Sequence, residues 1–327
     1  MLGVMDQDKP ARRPVMNLLR RVKPATVATD IALIGFGEAA QAFVEGWTGE
    51  PGAGAVSAYD IKTDQPGAAA DAKWRDFTWT AVQGCKDLAA LLNGAELVFS
   101  LVTADQADLA ARAAASHLAE GALYLDGNSC APETKRAAAR AVEAAGGRYA
   151  DVAIMAPVRP ALHRVPMLVS GPHAEDARLA LAGLGMTAEV VDGGIGQAST
   201  VKMLRSVMVK GIEALVAECV LAARRAGLDD RVLESLQASD PGFKWREKTG
   251  YNLERMAVHG LRRAAEMREV AKTLAGLDLP GGMAEATADW QDRIGALGLD
   301  ADEQDMAGLA DAILAALHLP ELKEGST

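Results

Sequence analysis

A short glycine-containing segment provides the first chemical signal in the sequence. Gly35-Phe36-Gly37-Glu38-Ala39-Ala40 has the pattern GxGxxA and lies between an apolar run at 31–34 and a stretch of helical periodicity. In such a turn the first glycine permits the bend, the second leaves room for a pyrophosphate, and the alanine lets helix and strand pack closely. The N–H groups at the start of the helix would face the phosphates. The segment therefore predicts a dinucleotide site.

An acidic residue at the end of the next apolar run extends this site. Asp60 stands there, and a carboxylate in that place can accept hydrogen bonds from the adenosine ribose and would repel a 2′-phosphate. We therefore expect NAD rather than NADP. Lys62 and Thr63 could still accommodate a phosphate, and a simple turn-forming role for Asp60 is the alternative. Val102 and Thr103, at the end of a later strand, complete the predicted cofactor site.

Four polar side chains recur at helical spacing near residue 260. His259, Arg262, Arg263 and Glu266 stand at i, i+3, i+4 and i+7, so they share one side of a helix. Arginine can form two parallel hydrogen bonds with a carboxylate or a phosphate. We therefore expect His259 and Arg262 to bind an anionic substrate, with a solvated or salt-bridged helix face as the alternative.

Alternating strands and helices must position the dinucleotide segment. Apolar runs typical of strands occur at 31–34, 55–59, 96–102 and 122–125, with alanine-rich helical stretches between them. Three further short strands are predicted at 149–154, 167–170 and 188–191, joined by turn residues with little room for helices. This alternation predicts a doubly wound, mainly parallel sheet of Rossmann type.

The pattern becomes helical after Gly196. Residues 201–226 form a long amphipathic segment that Gly227 closes, which is typical of a helix joining two domains. The first 28 residues contain several prolines and basic residues without a sustained period. We therefore predict a flexible tail over 1–28, a Rossmann domain over 29–195 and an all-helical domain over 196–327.

Charge and composition exclude several classes of protein. The chain has 327 residues and a net charge of -10, which disfavours nucleic acids and anionic membranes as partners. It has no apolar stretch long enough for a spanning helix and no signal-peptide pattern, so a cytoplasmic protein is expected. Cys85, Cys130 and Cys219 are widely separated and the histidines are dispersed. We expect reduced thiols and no metal site.

The order of these motifs resembles that of the β-hydroxyacid dehydrogenase family, which includes 3-hydroxyisobutyrate dehydrogenases and is related to 6-phosphogluconate dehydrogenase. Residues 126–132, Asp-Gly-Asn-Ser-Cys-Ala-Pro, are similar to the family's substrate segment D-x-S-T-x-x-P. Residues 196–202, Gly-Gln-Ala-Ser-Thr-Val-Lys, are similar to G-x-G-x-x-x-K. The resemblance implies a Rossmann domain, an all-α 6-phosphogluconate dehydrogenase-like domain that binds substrate, and a homodimer.

The resemblance also implies roles for individual side chains. Lys202 would be the catalytic residue that exchanges a proton with the reacting oxygen. Its pKa would have to fall toward neutrality through burial or nearby positive charge, such as that of Arg205. Asn128 and Ser129 would anchor the substrate. Ser206, four residues after Lys202, would replace the asparagine of the family.

One departure concerns the substrate. The family stretch D-A-P-V-S-G-G ends in glycines whose N–H groups can hold a carboxylate, but the corresponding segment from Asp151 ends in Met155, Ala156 and Pro157. Pro157 has no N–H to donate. The resemblance therefore does not extend to the identity of the substrate.

Taken with the motifs, the resemblance predicts an NAD-dependent dehydrogenase or reductase, with NADP as the alternative cofactor. The substrate would be a small anionic metabolite that reacts at a hydroxyl or carbonyl carbon. Two other functions stay open. An imine reductase would keep the Rossmann half and change the acid, and a non-catalytic dinucleotide sensor would explain the altered glycine pairs.

Overall fold

The computed structural model describes residues 28–301 and 305–317. Apart from Ala28, the flexible tail predicted for 1–28 lies outside the described residues, as does the end of the predicted helical domain at 318–327. No helix among the described residues is both long enough and apolar enough to cross a membrane.

One sheet forms the first half of the described chain. Its strands are β1 (Thr29–Ile34), β2 (Ala53–Tyr59), β3 (Gln83–Gly84), β4 (Leu97–Ser100), β5 (Leu123–Asp126), β6 (Arg148–Ile154), β7 (Met167–Ser170) and β8 (Ala188–Val190). They are arranged in the order β3-β2-β1-β4-β5-β6-β7-β8, and every described pair is parallel except β6 with β7. This arrangement confirms the doubly wound, mainly parallel sheet.

Helices cover both faces of the sheet and then form the second half. The first set is α1 (Glu38–Trp47), α2 (Ala68–Trp79), α3 (Leu88–Leu92), α4 (Ala107–Ala115), α5 (Pro132–Ala144) and α6 (Ala174–Gly183). The second set is α7 (Gln197–Arg225), α8 (Asp229–Ser239), α9 (Trp245–Ala275), α10 (Gly282–Gly295) and α11 (Met306–Ala316). The predicted all-helical character after Gly196 is thus confirmed for the described residues.

Alternation along the strands gives the sheet two apolar faces. Leu33 and Phe99 contribute to the core on one face, whereas Ile34 and Val98 contribute to the core on the other. Successive side chains of a strand point to opposite faces, so a strand that is apolar throughout must be covered on both sides.

The register of the parallel strands creates the edge where a site can form. The last residues of β2, β1, β4 and β5 stand side by side, in the order Tyr59, Ile34, Ser100 and Asp126, and Asp151 within β6 pairs with Asp126. Ligands of open α/β sheets bind at the carboxyl ends of the strands. The polar side chains of Ser100, Asp126 and Asp151 therefore mark this edge.

Two elements differ from the sequence prediction. β3 has only two residues, too few to show a period of two. α6 lies between β7 and β8, where the sequence indicated little room for a helix. Its buried residues are Ala174, Ala177 and Leu181. Alanines provide little contrast with the alanine-rich chain around them, so the helical spacing is hard to recognise.

Candidate functional site at the carboxyl ends of the strands

The dinucleotide segment forms the turn between β1 and α1. Gly35 has φ +86°, and a β-carbon there would lie 2.6 Å from the carbonyl oxygen of Leu101. Gly37 precedes α1, and a β-carbon there would meet no atom within 4 Å. Ala40 is fully buried against the sheet. The space in front of Gly37 and the start of α1, with Glu38 and Ala39, fits a pyrophosphate held by backbone N–H groups.

Asp60 joins this turn to the loop after β2. Its Oδ2 accepts a hydrogen bond from the Phe36 N–H at 2.9 Å, and its Oδ1 accepts one from the Lys62 N–H at 3.0 Å. Each carboxylate oxygen has two acceptor positions, so both oxygens keep capacity for a ribose hydroxyl. Asp60 therefore combines the turn-forming role with a geometry that suits cofactor recognition.

Sequence reasoning missed a lysine beside the same turn. Lys73, on α2, is buried, and its Nζ donates to the Phe36 carbonyl oxygen at 2.6 Å and to Asp76 Oδ2 at 2.7 Å. Its ammonium places positive charge at the turn, which favours an anionic ligand. A lysine three residues before an aspartate is ordinary on a helix surface, so the sequence carried no signal for this contact.

We expect Gly37→Ala to weaken NADH binding by about 10–100-fold, because the added methyl group displaces a charged phosphate from N–H donors. Stability should change little, since the new β-carbon meets no protein atom. Calorimetric titration with NADH measures the first effect and thermal unfolding the second. Gly183→Ala, on α6, is a matched control because its β-carbon also meets nothing within 4 Å. Equal affinities for the two variants would contradict the assignment of Gly37.

Val102 and Thr103 follow β4 at the same edge. The Val102 N–H donates to Asn128 Oδ1 at 2.6 Å, and Thr103 is exposed beside the turn of helix that follows it. Asn128 Nδ2 in turn donates to Ser100 Oγ at 3.0 Å. Both polar atoms of the Asn128 side chain therefore bond the end of β4 and the loop after it, and its amide nitrogen keeps a second hydrogen for the expected substrate contact.

Ser129 and Lys202, 73 positions apart in the chain, meet at the site. Lys202 Nζ donates to Ser129 Oγ at 2.5 Å. This contact brings the loop after β5 against the first turns of α7. Of the two adjacent residues predicted as substrate anchors, Ser129 is the one that faces Lys202.

A buried polar network fixes the start of α7. Asp151 Oδ2 accepts from the Ser199 N–H at 3.0 Å, and Asp151 Oδ1 accepts from Ser199 Oγ at 2.6 Å. Ser170 Oγ accepts from the Ala198 N–H at 3.0 Å. These bonds satisfy N–H groups that the first turn of a helix leaves unpaired. These bonds therefore fix the position of Lys202, three residues after Ser199, relative to the sheet.

The surroundings of Lys202 favour its neutral form. Burial, together with the positive charges of Lys210, Lys135 and Arg262, lowers the pKa of Lys202 to about 8, although Glu266 acts in the opposite direction. The expectation that Arg205 lowers the pKa of Lys202 is wrong. Arg205 is exposed, and the cations that lower this pKa belong to α5, α9 and a later turn of α7.

Helix α9 carries the charged cluster that faces Lys202. Glu266 Oε2 pairs with Lys210 Nζ at 2.8 Å, and Glu266 Oε1 accepts from Arg262 at 2.8 Å. Burial raises the pKa of Glu266, but Lys210, Arg262 and Lys202 outweigh it and lower that pKa to about 2. Ser206, also buried, accepts a hydrogen bond from Lys210 Nζ at 3.2 Å. The carboxylate of Glu266 is thus held ionised among three cations.

His259 and Arg263, the other two of the four polar residues predicted to share one side of a helix, lie in different surroundings. His259 is partly buried, and burial, Arg255 and Arg262 lower its pKa, whereas Glu38 opposes the shift. Glu38 stands at the start of α1, so His259 lies within electrostatic range of the dinucleotide turn. Arg263 instead pairs with Glu213 of α7 in the helical core.

Glu269 of α9 is a further contact that the sequence did not reveal. Its Oε2 accepts from the Ala131 N–H at 2.8 Å and from Thr134 Oγ1 at 3.2 Å, at the start of α5. A carboxylate at a helix N-terminus is stabilising because unpaired N–H groups point toward it. Glu269 therefore ties the second half of the chain to the loop that carries Ser129.

The fold and the site define a dinucleotide-binding protein of dehydrogenase architecture. A family model described as the NAD binding domain of 6-phosphogluconate dehydrogenase matches residues 30–196, just over half of the chain. A second, described as a domain of unknown function (DUF1932), matches residues 223–294. The chain therefore belongs to the β-hydroxyacid dehydrogenase family and has an NAD(P)-binding domain, which confirms the predicted family and cofactor class.

Solved structures agree with this assignment. A conserved hypothetical protein from Sinorhizobium meliloti 1021 is 37% identical, with 89% of this chain and 98% of that chain covered and a TM-score of 0.67. The conserved protein MTH1747, described as structurally similar to 3-hydroxyacid dehydrogenases, is 30% identical, with coverages of 83% and 100% and a TM-score of 0.60.

More distant structures share the fold. The 3-hydroxyisobutyrate dehydrogenase of Mycobacterium tuberculosis, solved with L-serine, is 14% identical, with coverages of 88% and 99% and a TM-score of 0.67. A reductive aminase from Aspergillus terreus, solved with NADPH and ethyl levulinate, is also 14% identical, with coverages of 87% and 99% and a TM-score of 0.53.

Proposed function

We propose that the protein is an NAD(P)-dependent oxidoreductase acting on the hydroxyl or carbonyl carbon of a small anionic metabolite, with Lys202 as acid and base. The observation that supports it most is the 2.5 Å hydrogen bond between Lys202 Nζ and Ser129 Oγ, made by a lysine whose pKa is lowered to about 8. A lysine needed only for solubility would stand in water at its ordinary pKa.

Residues of the first domain would hold the cofactor. The turn at Gly35 and Gly37 and the start of α1 would bind the pyrophosphate, and Asp60 would accept hydrogen bonds from the ribose. When bound, the nicotinamide supplies or accepts the hydride. Because Asp60 would repel a 2′-phosphate, NAD is the cofactor we propose.

Lys202 would exchange the proton of the reacting oxygen. During oxidation its neutral amine accepts that proton, and during reduction its ammonium returns it. Ser129 would orient the amine through their hydrogen bond, and Ser206, one turn along α7, would contact the same oxygen. The fixed start of α7 limits the movement of Lys202, which favours proton transfer in one geometry.

The anionic group of the substrate would bind Arg262 with support from His259. Arg262 keeps a side-chain exposure of 47% although one of its nitrogens bonds Glu266, so it retains donors for a carboxylate or phosphate. Pro157 cannot supply the N–H that the family uses in this role. The side chains of α9 would therefore bind the anionic group that the family binds through backbone N–H groups.

The pH profile follows from the lowered pKa of Lys202. Oxidation needs the neutral amine, so its rate should rise as the pH increases through about 8. Reduction needs the ammonium, so its rate should fall over the same interval. Initial rates in both directions, measured across the range in one mixed buffer, test this expectation. Profiles that change only near the ordinary lysine pKa of about 10.4 would count against it.

An imine reductase is the alternative within the enzyme class. The reductive aminase shares the fold, so a panel of ketones with amines belongs in any substrate screen. Lys202, Lys210 and Arg262 would oppose a cationic iminium, which is why we favour oxygen chemistry. Turnover with amine and ketone together, but with no hydroxy acid, would reverse this preference.

Thermal unfolding with NADH and NADPH in parallel tests the proposal first. A ligand that binds the native state raises stability by RT ln(1 + [L]/Kd). A shift with NADH alone supports the role of Asp60 and leads to a screen of hydroxy acids and their carbonyl forms. A shift with NADPH alone contradicts the choice of NAD. Tight binding without turnover on a broad panel would favour the sensor instead.

A homodimer joined through the helical domain is also proposed. Met208 and Leu215 of α7 are 64% and 55% exposed, and Val258 and Leu261 of α9 are 49% and 57% exposed. These exposed apolar residues of α7 and α9 are the surface that a second copy would cover, and that copy offers the same residues. Light scattering should give twice the chain mass, and a stable monomer at working concentration would refute the dimer. The cytoplasmic location stays a prediction.

A further inference from the structure

Ser206 and Lys210 form a unit on the face of α7 that carries Lys202. Ser206 stands where the family has asparagine, and its side chain is shorter. Lys210 Nζ reaches Ser206 Oγ at 3.2 Å and Glu266 Oε2 at 2.8 Å. All three residues are more than nine-tenths buried. A lysine side chain therefore contacts the hydroxyl from the next turn of the helix.

We propose that Lys210 is a positioning residue that orients the Ser206 hydroxyl as a donor toward the reacting oxygen. The inference rests on the proposed function, because it assigns a task to a second side chain of the same site. The same inference assigns Lys210 a part in favouring the neutral form of Lys202 over its charged form.

The donor chemistry of the three groups supports this orientation. An ammonium has three donors and no acceptor, so Ser206 Oγ must accept the bond from Lys210. The single hydrogen of the hydroxyl is then free to point into the site. Asparagine presents its donor through the amide nitrogen, and the Ser206–Lys210 unit would replace that donor with a fixed hydroxyl. Glu266 anchors Lys210 so that the lysine cannot turn away.

The charges around Lys202 come from three helices. Lys135 lies on α5, Lys210 on α7, and Arg262 and Glu266 on α9, and each acts on Lys202. Lys210 neutralises part of the Glu266 charge and adds a cation of its own. Removal of Lys210 would therefore raise the pKa of Lys202 in two ways. It deletes a cation that repels the ammonium, and it leaves the negative charge of Glu266 less compensated.

Trace acetylation of Lys202 tests the electrostatic part without any substrate. Only the neutral amine reacts, so the labelling rate between about pH 6 and about pH 10, followed by peptide mass spectrometry, measures the neutral fraction. Lys210→Met should reduce labelling of Lys202 near neutral pH by about tenfold. Lys210→Arg keeps the charge and should label like the wild type. Arg205→Met, an exposed cation on the same helix, is the matched control and should also be unchanged.

Wild-type labelling of Lys202 in Lys210→Met would overturn the electrostatic part. Should that variant fail to fold, Lys210→Gln keeps two hydrogen-bond donors without charge and should show the same loss of labelling. This readout needs neither cofactor nor turnover. A failure of the proposed oxidoreductase function would appear as absent hydride transfer with the labelling shift intact, so the two failures are distinguishable.

Turnover tests the orientation of the hydroxyl. Lys210→Met should lower kcat by about tenfold, equivalent to one hydrogen bond to a charged state, with a smaller change in KM. Adding Ser206→Asn in that background should restore part of kcat, because the amide donates without help from Lys210. In the wild-type background, Ser206→Asn should give no such gain. Additive effects of the two substitutions would overturn the orientation.

Discussion

Replacing Lys202 by methionine is expected to lower turnover by about 10²–10⁴-fold, the usual contribution of a positioned general acid or base. Methionine keeps much of the side-chain length but cannot exchange a proton. Ser129 would lose the donor that contacts its Oγ at 2.5 Å. Steady-state hydride transfer, followed by the absorbance of the reduced nicotinamide, measures the loss.

The same variant should retain its fold and its affinity for NADH. Lys202 is only partly buried and its contact with Ser129 is a single hydrogen bond, so thermal unfolding should change by no more than about 1 kcal/mol. Arg205→Met, on the exposed side of α7, serves as the matched control with wild-type turnover. Full turnover by folded Lys202→Met would remove Lys202 from the chemistry.

Local features of the sequence were sufficient to predict the doubly wound sheet of the first half of the chain, apart from β3 and α6. The dinucleotide turn is a contiguous motif, and each of its glycines has a local reason. Gly35 has a positive φ, and Gly37 leaves open space for the ligand. The strands could be recognised because apolar residues cover both faces of a parallel sheet. Asp60 could be placed because the end of a strand is visible in the pattern.

Contacts between distant parts of the chain could not be predicted in the same way. Asn128 and Ser129 are adjacent and both polar, and only the register of β4 with β5 decides that Asn128 bonds the end of β4 and the loop after it while Ser129 meets Lys202. Lys73 and Glu269 each look like a solvated residue on a helix. Their burial depends on how the elements pack, which a periodicity does not encode.

The cations that act on Lys202 illustrate the same limit. Helical spacing drew attention to Arg205, the nearest cation along the chain, yet Arg205 is exposed. Lys210 lies two turns away on the same face, and Lys135 comes from α5 of the other half of the chain. Electrostatic influence depends on distance and burial in space, so the sequence indicated the need for positive charge without identifying its source.

The greatest loss of stability among these substitutions is expected for Lys135→Met. Lys135 is fully buried, and its Nζ lies 2.9 Å from Asp126 Oδ1 and 3.3 Å from Asp151 Oδ1. Although burial lowers the pKa of Lys135, the two carboxylates outweigh it and raise that pKa above its ordinary value. Removing the cation would leave two buried carboxylates without their shared partner, which costs about 3–5 kcal/mol. Urea unfolding measures this loss.

Two further variants separate charge from packing in this prediction. Lys86→Met, which removes a lysine whose side chain is 82% exposed and 3.9 Å from Asp87, should change stability by less than about 1 kcal/mol. Adding Asp126→Asn to Lys135→Met should recover part of the loss, because it removes one of the unpaired charges while an amide oxygen still accepts from the Asn128 N–H and the amide nitrogen donates to the Tyr149 hydroxyl. No recovery would assign the loss to packing. Asp151 also holds the start of α7, so a poorly ordered Asp151 in Lys135→Met should displace Lys202 and lower turnover even where the protein remains folded.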